Sequence, residues 1–336
     1  MKILVIGDIH VDVDYYAKQV ERIDWGEETE VLKYQWFPKD KKEFQEVALE
    51  IEKNGAENIP YPEEIDLEIE TADAIFTHFC PVNTKLIESA PKLKIIACCR
   101  GGLEHISPLA AKKGIKVINV IRNAEPVADF TLGLILSELR NISRSYSLMK
   151  QGLWEKSFKN SEYTTCISSL KVGLIGFGAI GQFVAKQLVS LGADVLVNDS
   201  FLAEKDILEK NNDVQVVSLD ELLRESDVIS VHVRFEKGQP PIINHESFKK
   251  MKKNCIFVNT SRAYAVDKEA LIEALENEVI SGAALDVFWD EPIEKDDPLL
   301  KLDNVTLTPH LAGDTAQAIP QSPKMLIDRI IERKLY

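Results

Sequence analysis

A strand-like apolar run in this chain turns through three closely spaced glycines into a helix-like run. It reads LKVGLIGFGAIG over Leu170–Gly181 and continues as QFVAKQLVSLGA. In this context Gly176 permits the tight turn, Gly178 lets backbone N–H groups approach a pyrophosphate, and Gly181 lets helix and strand pack closely. The phosphates then lie at a helix N-terminus, where unpaired N–H groups and the helix dipole favour an anion. The segment therefore predicts a dinucleotide-binding fold.

The next strand-like run indicates which dinucleotide is bound. VLVND ends in Asp199, eighteen residues after Gly181. A carboxylate at this position accepts hydrogen bonds from the adenosine ribose hydroxyls, and it would repel a 2′-phosphate. No arginine follows in SFLAEKD. The pattern therefore predicts NAD rather than NADP.

Composition limits the class of protein. A chain of 336 residues with 45% apolar content is long enough for two domains. A net charge of −14 argues against a nucleic-acid-binding surface. The five cysteines show no C-x-x-C spacing, which predicts reduced thiols in a cytoplasmic protein. The apolar run in MKILVIGDIH ends at Asp8, so we expect neither a signal peptide nor a membrane anchor.

Strand-like and helix-like runs alternate in both halves of the chain, which predicts βαβ units with parallel sheets. The first half contains KILVIGD, TEVLKYQWF, ADAIFTHF, KLKIIACC and KVINV, and a second series begins at Leu170. Between them, PVADFTLGLILSELRNISRSYSLMKQG predicts one long helix with Pro126 near its first turn. Such a helix joins two domains or lines a subunit interface. The segment from Gly313 onward predicts a helix that returns to the first domain.

Three polar side chains follow strand-like runs in the second half. Arg262 follows CIFVNTS, Glu291 follows ALDVF, and His310 follows NVTLTP. Ligands of open parallel sheets bind beyond the carboxyl ends of the strands, so these groups can meet there. Histidine transfers protons near neutral pH, a carboxylate can orient it and favour the imidazolium, and arginine can hold a substrate carboxylate. With a nicotinamide cofactor, this set suits reversible reduction of a 2-oxo acid to a 2-hydroxy acid.

The chain resembles the D-isomer-specific 2-hydroxyacid dehydrogenase family over roughly residues 70–325. The resemblance is carried by the segments KLKIIACCRGGLEHISPLAAKKGIKVINV, RNAEPVADFTLGLILSELRNI, LKVGLIGFGAIG, NTSRAYAVDKEALIEALENEVISGAALDVFWDEP and NVTLTPHLAG. It implies that Arg262 binds substrate, that His310 is the acid/base, and that Glu291 is the partner of His310. The expected activity is NAD-dependent interconversion of a D-2-hydroxy acid and its 2-oxo acid.

The resemblance also implies a fold of two Rossmann-like, doubly wound parallel-sheet domains. A flavodoxin-like substrate domain begins with residues 1–124, an NAD-binding domain spans residues 125–312, and a C-terminal helix in residues 313–336 returns to the substrate domain. We expect a homodimer across the long helix, a small anionic substrate, and neither a metal, a nucleic acid nor a membrane as partner.

Further site residues are implied by the same resemblance. Asp286 is expected near the nicotinamide carboxamide. His232 is expected to be a structural histidine at a strand end, where a contact with the cofactor ring needs only its bulk. The predicted cofactor-binding residues are Gly176, Gly178, Ala179, Ile180, Gly181, Asp199, His232, Thr260, Ser261 and Asp286. The residues predicted to bind substrate, mainly through the backbone, are Arg100, Gly101, Gly102 and Leu103.

The sequence shares features with two other classes of protein, of which only the second remains open as a function. The opening MKILVIGDIHVD resembles metallophosphoesterases, in which Asp8 and His10 would bind a metal, but the later ligand motifs of those enzymes are missing. An NAD(H)-sensing binding protein of the same fold, similar to the C-terminal-binding corepressors, would share the Arg/Glu/His set. Turnover of a 2-oxo acid separates that protein from an enzyme. We expect structural roles for His78, His105 and His245.

Overall fold

A computed structural model describes residues 1–235 and 237–336. Contacts between residues divide the chain into two compact units. Unit 1 contains Met1–Arg122 and Thr315–Tyr336, and unit 2 contains Asn123–Asp314. Within the described residues, no helix has the length and apolar character needed to cross a membrane.

Unit 1 is built on one parallel sheet. Its strands are β1 (Lys2–Gly7), β2 (Glu30–Gln35), β3 (Ala74–Thr77), β4 (Ile95–Cys98) and β5 (Lys116–Asn119). Their order across the sheet is β2-β1-β3-β4-β5, which is the flavodoxin-like order. β3 and β4 are buried along their whole length, as expected for central strands that are covered on both faces.

Helices of unit 1 cover the faces of its sheet. They are α1 (Val13–Val20), α2 (Lys41–Asn54), α3 (Thr84–Glu88) and α4 (Leu109–Lys112). Side chains of α2 and α3, including Phe44, Ile51 and Leu86, enter one core cluster with Ile75 and Ile96 of the sheet. α1 contributes to a second cluster, which lies against Ile3 and Val5. The alternation of strand and helix thus gives a layered α/β unit.

Unit 2 contains a larger parallel sheet. Its strands are β6 (Lys171–Ile175), β7 (Asp194–Asn198), β8 (Val214–Val216), β9 (Val228–Val231), β10 (Ile256–Asn259), β11 (Gly282–Leu285) and β12 (Val305–Leu307). The order is β12-β11-β10-β9-β6-β7-β8, so the chain reverses direction across the sheet between β6 and β9. This is the doubly wound Rossmann order, and the predicted fold class is confirmed.

Helices of unit 2 correct one prediction. They are α5 (Ala124–Arg140), α6 (Ile142–Lys150), α7 (Ala179–Ser190), α8 (Glu204–Lys210), α9 (Leu219–Glu225), α10 (His245–Lys250) and α11 (Lys268–Glu276). The expected single long helix is wrong, because Asn141 adopts a left-handed backbone (φ 53°) and separates α5 from α6. The fully buried Glu138 binds Arg144 and Thr306 across this break and so fixes the two helices to the edge of the sheet.

The remaining helical segments are short, with one exception at the C-terminus. Helix α12 (Ser322–Glu332) belongs to unit 1, where Leu326, Ile327 and Ile330 are completely buried in the cluster that also contains Ile3 and Val5. The 3₁₀ turns are Glu63–Leu67, Ile69–Thr71, Ser161–Tyr163, Ile167–Ser169, Ala263–Ala265 and Pro298–Lys301.

Candidate active site

The glycine turn after β6 has the form that a pyrophosphate requires. Gly176 has φ 100°, and a Cβ there would lie 2.5 Å from the carbonyl oxygen of His232. A Cβ on Gly181 would lie 2.3 Å from the carbonyl oxygen of Gly176, so both positions require glycine. A Cβ on Gly178 would meet nothing within 4 Å. Open space therefore lies before the N-terminus of α7, where no side chain caps the first N–H groups, including those near Ala179 and Ile180.

Asp199 follows β7 and is half-buried. Its Oδ2 accepts a hydrogen bond from the N–H of Phe177 at 2.7 Å, within the glycine turn. Its Oδ1 accepts from the N–H groups of Phe201 and Leu202. The carboxylate therefore connects the end of β7 to the glycine turn, a structural role that the sequence did not reveal. A carboxylate oxygen has more than one lone pair, so this role is compatible with ribose binding.

His232 follows β9, on the other side of the point where the strand order reverses. Its backbone N–H donates to the carbonyl of Ile175 at 2.7 Å, and Nε2 lies 2.9 Å from the hydroxyl oxygen of Ser230. Burial lowers the pKa of the imidazole from 6.5 to about 4, so the ring is neutral at neutral pH. His232 thus lies beside the glycine turn through its backbone, and its ring is uncharged.

Glu291 and His310 form a hydrogen-bonded pair in the structure. The distance between His310 Nδ1 and Glu291 Oε2 is 2.9 Å, and the side chains are 52% and 40% exposed. Glu291 Oε1 accepts a hydrogen bond from the N–H of Phe288, which fixes the carboxylate on the β11 side. His310 has a positive φ of 54°, and its N–H donates to the carbonyl of Thr308. The predicted pair is therefore placed together, with the imidazole open to solvent and one ring nitrogen oriented.

Asp286 is completely buried, and its carboxylate anchors the loop that carries His310. Asp286 Oδ1 accepts from the hydroxyl of Thr308 at 2.6 Å and from the N–H of Leu311 at 2.9 Å. Its Oδ2 accepts from the N–H of Ala312 at 2.8 Å. The sequence suggested a contact with nicotinamide, whereas the visible contacts of Asp286 are to the residues on either side of His310.

Arg262 follows β10, and β10, β11 and β12 are neighbours, so Arg262 lies on the same carboxyl edge of the sheet as the Glu291–His310 pair. The side chain is exposed, and its Nη1 donates to the carbonyl of Ser261 at 2.7 Å. Ser261 itself is fixed by Asn259, whose Oδ1 accepts from the Ser261 N–H and hydroxyl. The hydroxyl of Thr260 pairs with that of Thr131 on α5 at 2.8 Å. These contacts leave the guanidinium at the surface of the edge.

Two aromatic side chains join the loop of Arg262 to the loop of Glu291. The hydroxyl of Tyr264 donates to the carbonyl of Trp289 at 2.7 Å. In return, Trp289 Nε1 donates to the carbonyl of Val266 at 3.0 Å. Nothing in the spacing of Tyr264 and Trp289 along the sequence indicates that their loops are adjacent.

In unit 1, the predicted substrate loop follows β4. The Arg100 guanidinium carbon lies 3.8 Å from the centre of the Phe79 ring, and its Nη2 lies 2.8 Å from Glu52 Oε1. The carbonyl of Gly101 accepts from Asn119. Leu103 is 42% exposed, and Gly102 is half-buried. The loop is thus anchored by Arg100 and by the carbonyl of Gly101.

Asp8 and His78 form a buried pair that the sequence did not predict. Asp8 Oδ2 lies 2.6 Å from His78 Nδ1, and Asp8 Oδ1 accepts from the N–H groups of His10 and Val11. Both oxygens of Asp8 are therefore engaged, and its side-chain partner is His78 rather than His10. Among residues 1–235 and 237–336, no group of three or more His, Cys, Asp or Glu side chains could hold a metal ion.

Comparisons with known proteins identify relatives of this chain. The family model for the D-isomer-specific 2-hydroxyacid dehydrogenase NAD-binding domain matches residues 132–312. The chain is 37% identical over 273 residues to a glyoxylate reductase of Thermofilum pendens, covering 77% of each chain. It is 40% identical over 256 residues to a hydroxypyruvate reductase of Thermotoga maritima, covering 75% of this chain and 81% of that one.

A solved structure extends the likeness to almost the whole chain. The D-lactate dehydrogenase of Aquifex aeolicus, complexed with NAD and lactic acid, has a TM-score of 0.60 and 27% identity. The match covers 99% of this chain and 95% of that chain.

Proposed function

The chain belongs to the D-isomer-specific 2-hydroxyacid dehydrogenase family, and on that premise we propose that it interconverts a D-2-hydroxy acid and its 2-oxo acid. It is an NAD-dependent oxidoreductase whose NAD-binding domain lies in unit 2. The observation that carries the reaction is the Glu291–His310 pair, on the sheet edge that also bears Arg262. An acid/base, its orienting carboxylate and a carboxylate-binding cation are the groups that the reduction of a 2-oxo acid needs.

The glycine turn fits the cofactor, because Gly178 leaves open space before uncapped N–H groups that would hold the pyrophosphate. Asp199 would accept hydrogen bonds from the ribose, and the neutral His232 would add bulk beside the turn. Thr260, Ser261 and Asp286 stay predicted members of this site. When bound, NAD(H) supplies the hydride that the carbonyl carbon accepts, or takes the hydride that the alcohol carbon gives up.

The acid/base step belongs to His310. In the reductive direction its imidazolium donates a proton to the substrate carbonyl oxygen, and in the oxidative direction the neutral ring removes the proton of the hydroxyl. Glu291 keeps the ring oriented through Nδ1 and offsets its positive charge, which leaves Nε2 for the substrate. The Arg262 guanidinium binds the substrate carboxylate through its two-pronged fork. Arg100, Gly101, Gly102 and Leu103 of unit 1 stay predicted substrate-binding residues.

The test is turnover by the purified chain with NADH and a panel containing glyoxylate, hydroxypyruvate and pyruvate. We expect NADH oxidation that depends on both the enzyme and the 2-oxo acid, with formation of the D-isomer where the product is chiral. Tight NADH binding without turnover of any 2-oxo acid would instead identify an NAD(H)-sensing protein. Formation of the L-isomer would contradict the proposed stereochemistry.

We also propose that the chain forms a homodimer through α6. This helix has no buried residue, and Ile142, Tyr146 and Met149 recur along it at helical spacing with more than half of each side chain exposed. Leu153 and Trp154 extend the apolar surface beyond the helix. Sedimentation should give a dimer for the wild type and a monomer for a Tyr146→Glu/Trp154→Glu variant, and a monomeric wild type would overturn the proposal.

The cysteines support a proposed cytoplasmic location. All five are free, and four of them are buried. Burial raises the pKa of the Cys98 thiol to about 11, so this thiol stays protonated at neutral pH. Unpaired thiols are typical of reducing compartments.

A further inference from the structure

Arg234 is an exposed cation on the loop that follows β9, two residues after His232. It makes no hydrogen bond, ion pair or ring contact with any residue in the ranges 1–235 and 237–336. The end of β9 lies next to the end of β6, at the point where the strand order of unit 2 reverses. Open parallel sheets bind their ligands beyond the carboxyl strand ends at such a point. Arg234 is therefore a charged side chain in a position to meet a ligand.

The chain that leads to Arg234 passes directly beside the glycine turn. The N–H of His232 donates to the carbonyl of Ile175, the last residue of β6. A Cβ on Gly176 would lie 2.5 Å from the carbonyl oxygen of His232 and 3.1 Å from a methyl carbon of Val233. Arg234 is the next residue, so its Cα lies about 3.8 Å from that of Val233. The long side chain of Arg234 thus begins beside the turn.

The residues on either side of Arg234 hold its backbone in place. Val233 and Phe235 are half-buried, and both pack against the core cluster that contains Val231 and Phe257. Arg234 between them is exposed. Because the core fixes the neighbouring residues, a ligand that binds Arg234 has to order one side chain and not a whole loop, which lowers the entropic cost of binding.

The glycine turn itself contains no cation. The segment Gly176–Gly181 reads GFGAIG, and a helix N-terminus offers only about half a positive charge. A dinucleotide brings a negative charge on each of its phosphates. The carboxylate of Asp199, which accepts a hydrogen bond from the N–H of Phe177 in the turn, adds repulsion. Most of the phosphate charge therefore needs a cation from outside the turn.

Lys205 and Lys237 are the other basic residues near the carboxyl ends of β6, β7, β8 and β9, and both have partners. Lys205 Nζ lies 3.7 Å from Glu209 Oε1, and Lys237 Nζ lies 5.0 Å from the centre of the Tyr264 ring. In the described part of these loops, Arg234 is the cation that has no partner. It is therefore the cation available to the turn.

We propose that Arg234 binds the pyrophosphate of NAD(H) from the β9 side and supplies the positive charge that the glycine turn lacks. A guanidinium can bind two phosphate oxygens at once, and such charge-assisted hydrogen bonds are about twice as strong as neutral ones. Arg234 then determines cofactor affinity and takes no part in proton transfer. This rests on the proposed binding of NAD(H) at the glycine turn.

The test measures binding by the whole chain, with ADP and adenosine as probes that differ in their phosphates. Ligand-observed NMR gives the dissociation constants of both probes, and fluorescence gives that of NADH. Arg234→Gln keeps a polar side chain and removes the charge. It should raise the dissociation constants of ADP and NADH about tenfold or more and leave that of adenosine unchanged. Arg234→Lys keeps the charge but loses the fork, so its values should lie between those of the wild type and Arg234→Gln.

The salt dependence of ADP binding is a second readout. Screening weakens a charge pair, so ADP affinity should fall more steeply with salt in the wild type than in Arg234→Gln. Lys237→Gln is the matched control, because it removes an exposed cation from the same loop that contacts Tyr264 instead. It should leave the ADP dissociation constant unchanged. The unfolding midpoint of Arg234→Gln should equal that of the wild type, because the replaced side chain is exposed.

Equal ADP dissociation constants in the wild type and Arg234→Gln would overturn the proposal. An equal loss of affinity for adenosine and ADP would also overturn it and would assign Arg234 to the adenosine part of the cofactor. A loss of NADPH affinity without a loss of NADH affinity would overturn it in favour of a 2′-phosphate contact. Failure of the proposed function looks different, because the wild type would then bind no NADH or would reduce no 2-oxo acid.

Discussion

Acidification should lower the free energy of unfolding of unit 2 through His232, the neutral histidine whose backbone lies beside the glycine turn. Burial lowers its pKa from 6.5 to about 4, and Nδ1 has no partner among the described residues. Because the folded pKa is depressed, the unfolded chain binds a proton first as the pH falls. The free energy of unfolding therefore decreases as the pH falls from about 6.5 to about 4, and below that range His232 contributes no further loss.

The size of this loss follows from the two pKa values. Each pH unit within the window costs about 1.4 kcal/mol, so acidification from about pH 7.5 to about pH 5 removes about 2 kcal/mol. For a domain of this size, such a loss lowers the unfolding midpoint by about 4–8 °C. His232→Gln removes the titrating ring and keeps a hydrogen-bonding partner for Ser230. Over the same pH range, the unfolding midpoint of His232→Gln should therefore fall by about 4–8 °C less than that of the wild type.

Calorimetry at several pH values compares the unfolding midpoint of unit 2 in the wild type with that in His232→Gln. Buried carboxylates titrate in both proteins, so only the difference between the two pH dependences reports on His232. His245→Gln, which alters a histidine that is 44% exposed, is the matched control and should follow the wild type. Identical acid shifts in the wild type and His232→Gln would refute the burial argument.

Three further changes test the site. Asp199→Asn should narrow the preference for NADH over NADPH, because it removes the charge that repels a 2′-phosphate; an unchanged ratio of kcat/KM values would place that preference elsewhere. Arg262→Lys should raise KM for the 2-oxo acid and lower kcat while the NADH dissociation constant stays the same, because only the bidentate fork is lost. Weaker NADH binding with unchanged substrate constants would assign Arg262 to the cofactor. Tyr264→Phe should lower kcat about fivefold by freeing the Arg262 and Glu291 loops, with Tyr336→Phe as the control; equal kcat values in both variants would show that the connection has no effect on the reaction.

Local sequence patterns predicted the glycine turn and the polar residues at the strand ends, because each of these depends on a short segment of chain. The family, the fold class and NAD are confirmed. They could be predicted because the glycine turn and the strand ends each lie in a continuous segment of sequence. The predicted domain boundaries after residues 124 and 312 differ by two residues from the divisions between the compact units. The proximity of Glu291 and His310 could be predicted because each follows a strand, and the two strands, β11 and β12, are neighbours.

Contacts between distant segments could not be predicted in the same way. Asp8 and His78 are 70 residues apart, and they meet because β1 and β3 pair with Ile6 opposite Thr77. The break at Asn141 lies inside a continuous helical pattern, and contacts of Glu138 with Arg144 and with β12 span it. Both features follow from strand order and side-chain packing, which no short segment encodes.

His310→Ala tests the central claim most directly. It removes the group proposed to transfer the proton, while the glycine turn is left intact. We predict that kcat for reduction of the preferred 2-oxo acid falls by about 10²–10⁴-fold, with an unchanged NADH dissociation constant and an unchanged unfolding midpoint. His245→Ala should retain wild-type kcat. Wild-type turnover by His310→Ala would contradict the account.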